Sequence, residues 1–164
     1  MNTFFQLDPV QYAILPALTA FICLILASMT LQAGKTKREN QLFTIFCILQ
    51  AMVNIEITLI TVISSPDLAL SISRFNHLFY VFIIPVGSHF VLEASNLQHR
   101  KKTLFCLYGF SIALVPFTQT SLYYYAMEKH FLGFFPKGGP AFVVFGLMGL
   151  FGTLYTAHVL WIIL

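Results

Sequence analysis

Residues 12–31 read YAILPALTAFICLILASMTL, twenty residues with no Asp, Glu, Lys, Arg or His among them. A helix rises about 1.5 Å per residue, so this stretch would reach about 30 Å, the thickness of a bilayer's hydrocarbon core. Its flank, Met1 to Gln11, carries Asp8 and no Lys or Arg. The apolar run is longer than a signal-peptide core, so the segment is expected to remain as a membrane anchor. Four more stretches of similar character follow, at 42–63, 70–95, 104–124 and 141–164. They are separated by Lys35 to Asn40, by the turn signal Ser64, Ser65, Pro66, Asp67, by the run Gln98 to Lys102, and by a polar and aromatic connection from Tyr125 to Pro140. The expected fold is all-α, a polytopic membrane bundle of about five transmembrane helices.

Composition agrees with that reading. Of 164 residues, 58% are hydrophobic and 9% charged, against about 25% charged in a soluble domain. Mean hydropathy is +0.81, and a water-soluble fold of this size lacks the polar residues to cover such a chain. The lipid bilayer is therefore the expected partner. The net charge of +3 comes mostly from two short basic runs between apolar segments, which report orientation and form no nucleic-acid surface. Cys23, Cys47 and Cys106 all lie inside apolar stretches, where they read as packing residues.

Cytoplasmic loops carry the excess of Lys and Arg. The first loop has Lys35, Lys37 and Arg38, and the third has Arg100, Lys101 and Lys102. The turn after the second span has none, and the fourth connection has Lys129 and Lys137. The N-terminus is thus expected outside and the fifth helix runs inward. Tyr123, Tyr124 and Tyr125 fit an outer aromatic belt and Trp161 an inner one. Val159 to Leu164 shows neither a basic stop nor a Gly or Pro terminator, so the chain is expected to be part of a longer protein.

Catalytic signatures are missing: the sequence contains no phosphate-cradling G-x-x-x-x-G-K-[ST], no H-E-x-x-H and no G-x-S-x-G. Ser88 to Glu93 superficially resembles a phosphoacceptor-histidine box, but it lies in an apolar segment out of reach of a soluble ATP-binding domain. No enzymatic activity, cofactor or metal is expected.

Polar residues inside spans are more informative, because an ionisable group in hydrocarbon costs a few kcal/mol and turns toward protein or water. Glu56 is the strongest of them. Gln50, Asn54, Thr58 and Thr61 share one side of the second helix, readable as helix-to-helix hydrogen bonding or as a ligand or ion path. If the third helix starts at Pro66, antiparallel pairing brings Arg74 and His77 to the depth of Glu56 and one of them is expected to face it. If it starts nearer Phe75, Arg74 snorkels at the outer interface. His89, Glu93 and Asn96 share a face below Pro85, which is expected to kink the helix; they read as a hydrated inner-interface group or a proton relay. Gly146, Gly149 and Gly152 form a small-residue series on the fifth helix, read as a packing seam or as a homodimer contact.

The order of these elements resembles the N-terminal seven-transmembrane region of bacterial sensor histidine kinases and related signalling proteins. The resemblance rests on Arg74 to Tyr80, on Pro85, His89 and Phe90, on His99 to Lys102, and on Gly138 to Phe142, and it covers the chain as the first five of seven helices. It implies a sensory input module in a bacterial inner membrane, ahead of a cytoplasmic kinase or cyclic-dinucleotide output domain. Asn54, Glu56, Arg74, His77, His89 and Glu93 are then the candidate ligand or switch residues. The alternative is part of a transporter or channel with a polar path around Glu56.

Overall fold

The computed structural model describes residues 8–96 and 101–163. The first helix, α1 (Pro9–Ala33), starts ahead of its apolar run because Asp8 and Gln11 form a reciprocal cap. The Asp8 carboxylate accepts from Val10 N at 3.2 Å, and Gln11 accepts from Asp8 N at 3.0 Å. Helix α2 (Arg38–Val62) returns antiparallel, and its first turn ties the intervening loop. Asn40 donates to the Gly34 carbonyl at 3.3 Å and Gln41 to the Lys35 carbonyl at 2.8 Å. Ala13, Ala20 and Ala27 recur every seven residues of α1 and are all buried. Small side chains at that spacing let the α1 and α2 backbones approach closely, and the Thr44 hydroxyl donates across the seam to the Ala27 carbonyl at 3.4 Å.

The third span is two helices in series, α3 (Pro66–Tyr80) and α4 (Ile83–Ala94). Ser65 caps α3, its hydroxyl accepting from Leu68 N at 3.3 Å, and Pro66 takes the first position, where its missing N–H costs nothing. The helix therefore starts at Pro66 rather than near Phe75. The kink expected from Pro85 appears one turn earlier, at Val81 and Phe82. Proline has no N–H for the carbonyl four residues back, which is that of Val81. The Ser111 hydroxyl donates to this freed carbonyl at 2.7 Å, and both residues are fully buried.

Helix α5 (Lys101–Leu114) runs on into a 3₁₀ segment at Val115–Gln119 that carries Pro116. The span expected at 104–124 thus stops five residues early. At its 14 residues α5 is short for a span; with the 3₁₀ turns it reaches about 31 Å at 1.5 and 2.0 Å per residue. The connection that follows is not a loop but an antiparallel hairpin, β1 (Tyr124–His130) and β2 (Gly133–Gly138), turning at Phe131 and Leu132. Gly133 has φ +115°, and a Cβ there would lie 2.5 Å from the Thr61 Cα, so the hairpin sits directly on the C-terminal end of α2. The last helix, α6 (Pro140–Ile163), packs against α4.

Four helical stretches are long and apolar enough to cross a membrane: Val10–Ala33, Arg38–Val62, Pro66–Ala94 and Pro140–Trp161. The α2–α3 turn, the 3₁₀ segment and the hairpin share one end of the bundle. The α1–α2 loop and the end of α4 share the other; the basic run expected at the latter falls partly on 97–100, outside the described residues.

Candidate functional site

Glu56 and Asn76 are brought together by antiparallel packing of α2 and α3 about the turn at Ile63 to Ser65. Both are buried, and Asn76 Nδ2 donates to Glu56 Oε2 in a short hydrogen bond. His77 Nδ1 stands 3.9 Å from the same oxygen. The ring's protonation pattern follows from its other neighbours. His77 Nδ1–H donates to the Ser73 carbonyl at 2.9 Å, which leaves Nε2 as the acceptor for the Tyr124 hydroxyl, also at 2.9 Å. A neutral imidazole satisfies both contacts. Tyr80 and Tyr124 meet this ring edge-on, with centroids 4.9 and 4.8 Å away, and Tyr123 closes a third side at 5.4 Å. The Ser73 hydroxyl lies beside the Glu56 carboxyl without a partner in hydrogen-bonding geometry.

Arg74 does not face Glu56. At 100° per residue it lies 200° around α3 from Asn76, so the helix that presents Asn76 to α2 turns Arg74 away. Its guanidinium donates instead to the Tyr124 carbonyl at 2.6 Å, and Gln119 donates to the Arg74 carbonyl at 2.6 Å. Arg74 thus fastens the hairpin and the 3₁₀ segment to α3. Of the two partners expected for Glu56, His77 is at the site and Arg74 is not; Asn76 is the stronger contact. Tyr123 and Tyr124, expected in a lipid-facing belt, are 0% and 2% exposed and sit inside the bundle, because the chain leaves the helix before them and turns inward; Tyr125 alone is exposed.

On the polar side of α2 three side chains turn back to their own helix. Asn54 donates to the Gln50 carbonyl, Thr58 to Asn54 and Thr61 to Ile57, at 2.7 to 2.8 Å, each satisfied within its own helix. Asn54 lies apart from Glu56, on the wall of a 280 Å³ cavity shared with Tyr12, Thr19 and Phe135.

A second polar group occupies the opposite end. Arg38 donates to His89 Nε2 at 3.5 Å, so His89 Nδ1–H donates to the Tyr108 hydroxyl at 3.2 Å. Glu93 lines the same 190 Å³ cavity. Asn96 does not join them: with φ +55° it takes the left-handed position that ends α4. Nearby, Ser88 donates to Thr156 Oγ1 at 2.9 Å, the Thr156 proton being committed to the Gly152 carbonyl, and this ties α4 to α6.

The glycine series divides. A Cβ on Gly152 would meet Ile84 Cγ2 at 2.2 Å, so Gly152 is a packing contact with α4. Gly149 only brushes Ile84, and Gly146 faces open space. Six residues amount to 600° of helix, so Gly146 and Gly152 lie 120° apart. Among the described residues no three His, Cys, Asp or Glu side chains gather where a metal ion could be held.

These features define a multi-pass helical membrane bundle with a hairpin at one end and a buried polar network beneath it. No protein-family model matches the chain, and no curated protein or solved structure does.

Proposed function

We propose that this bundle is a membrane-embedded signal-input module, with Glu56, Asn76, His77 and Tyr124 as its receiving element. The observation that carries this reading is the position of His77. A single buried ring accepts a hydrogen bond from the hairpin residue Tyr124 and stands within 3.9 Å of Glu56 on α2. A shift of the hairpin must therefore be absorbed by the α2–α3 pair. The break at Val81 and Phe82 gives α3 a hinge above α4, and α4 ends in contacts from His89 to Arg38 and Tyr108 and from Ser88 to Thr156. An input element biases two packings of such a bundle by its differential contacts with each. The resemblance to the membrane region of bacterial sensor kinases supports the same reading and would set the module in a bacterial inner membrane. The self-satisfied polar side of α2 offers less to a transport path.

The test replaces Cys23, Cys47 and Cys106, places spin labels at Lys37 and Trp161 near the inner ends of α2 and α6, and measures their separation in nanodiscs. Tyr124→Phe removes one hydroxyl at the outer end and is expected to shift that distance distribution. An unchanged distribution together with Glu56-dependent ion or solute flux in proteoliposomes would assign the chain to transport instead.

A further inference from the structure

The seam between α2 and α3 is not closed over Glu56. A cavity of about 390 Å³ runs between the two helices, walled by Met52, Ile55, Leu59, Ile72 and Phe75 and by Ser71, whose hydroxyl is committed to the Asp67 carbonyl at 2.9 Å, with Glu56 and Asn76 also lining it. Ile55, Leu59 and Phe75 are 43%, 37% and 59% exposed, whereas Glu56 and Asn76 are 6% and 5% exposed. The apolar residues thus form a rim open to the side, and the polar pair is its floor. The floor lies six residues, about 9 Å, below the outer end of α2, within the stretch long and apolar enough to span. Such an opening faces lipid, and its volume falls in the usual range of about 300–1,000 Å³ for small-molecule pockets.

The chemistry of the floor selects the occupant. Among the described residues no cation stands against Glu56: Arg74 is committed to the Tyr124 carbonyl, and the His77 Nδ1 proton goes to the Ser73 carbonyl. Asn76 has given its Nδ2 to the carboxyl, so what the pair offers a newcomer is chiefly acceptor oxygen. A carboxyl at membrane depth is stabilised by an opposite charge or a donor; Asn76 supplies a donor, and the cavity walls supply no charge. An anionic lipid head would be repelled from this floor.

We infer that this cavity is a binding site for a lipophilic amine, its apolar tail or ring lying between α2 and α3 and its protonated nitrogen donating to Glu56. This names the ligand class of the receiving element and rests on that reading. An ammonium group there supplies the countercharge that the protein withholds, and the apolar rim admits only molecules that already partition into the bilayer. Occupancy would wedge Phe75 and Ile55 apart beside the Asn76 to Glu56 bond.

The test measures equilibrium binding of radiolabelled dodecylamine to the full chain in zwitterionic nanodiscs, with empty nanodiscs subtracted and dodecanol as the neutral control. Saturable amine binding is expected, weakened about tenfold or more by Glu56→Gln, equivalent to about 1.4 kcal/mol. Ile55→Trp, which fills the cavity from an exposed position, is expected to abolish it, and Arg74→Gln to leave it unchanged. Ile55→Trp decides the matter if Glu56→Gln does not fold, as judged by gel filtration and circular dichroism. Amine uptake no greater than in empty nanodiscs, insensitivity to both variants, or equal saturable binding of dodecanol would overturn the assignment. Amine binding with immobile inner ends would remove the signal-input reading and leave the site; moving ends in Tyr124→Phe without amine binding would remove the site alone.

Discussion

Glu56 depends on Asn76 more than on any charged neighbour, and this separates two kinds of polar contact in the hairpin half of the bundle. Asn76→Ala withdraws the donor from a buried carboxyl and is expected to cost about 1–3 kcal/mol of stability. Glu56→Gln in the same background should recover part of that loss, since it removes the group left stranded. Denaturation of the four-member cycle in bicelles measures the coupling, and purely additive losses would contradict the contact. Arg74→Gln combined with Glu56→Gln is expected to be additive within about 0.5 kcal/mol, because the two side chains lie on different sides of α3. The depth of Glu56 relative to residues 74–77 was legible from its distance to the Ser65 and Pro66 turn. Which of those residues faced it was not, because rotation about α3 is set by what both sides of that helix pack against. Asn76 is uncharged, so nothing local marks it as the partner of a carboxylate.

At the scale of elements, Pro85 and Ser111 act as a pair across α4 and α5. Ser111→Ala leaves the buried Val81 carbonyl without its donor and is expected to cost about 1–3 kcal/mol. Pro85→Ala restores an N–H to that carbonyl and should reduce the cost of losing Ser111, a sign of coupling that bicelle unfolding of the double variant reads directly. The glycines provide a second contrast. Gly133→Ala places a Cβ at positive φ against the backbone of α2, so the hairpin should lift from the bundle, seen as faster proteolysis between Tyr125 and Gly138. Gly146→Ala meets nothing and should be neutral or mildly stabilising, by up to about 1 kcal/mol, in the same unfolding measurement. If Gly146 is a homodimer contact, the substitution instead alters the oligomeric state on gel filtration. The seam built from small residues at regular spacing is the one on α1, where Ala13, Ala20 and Ala27 recur at seven, a signal present in the sequence and overshadowed by the glycines of α6.

At the scale of the whole molecule, the two ends of the bundle differ in charge, and that difference fixes a testable orientation. The α1–α2 loop carries Lys35, Lys37 and Arg38, and the hairpin end carries Lys129 and Lys137. Single cysteines at Lys37 and Lys129, in a background free of the native thiols, are expected to be labelled from inside and outside respectively. Strong external labelling at Lys37 in intact cells would invert the assignment. The long spans and their order were readable because hydrocarbon imposes one requirement on every residue of a span, and a run of apolar side chains answers it without reference to any other part of the chain.

By itself the sequence determined the membrane class, the positions of α1, α2 and α6, and the loops that share an end, since each follows from local composition, a cap or a charge count. Only the tertiary structure decided the hairpin, the inward turn of Tyr123 and Tyr124, the pairing of Glu56 with Asn76, and the release of Arg74 to the hairpin. Aromatic residues satisfy lipid and protein interior equally well, so Tyr123 and Tyr124 carry no local mark of which they will meet. Hydrogen-bond partners in the bundle are chosen by rotation and contact between segments up to 68 residues apart, as for Ser88 and Thr156, and no periodicity within one helix encodes that choice.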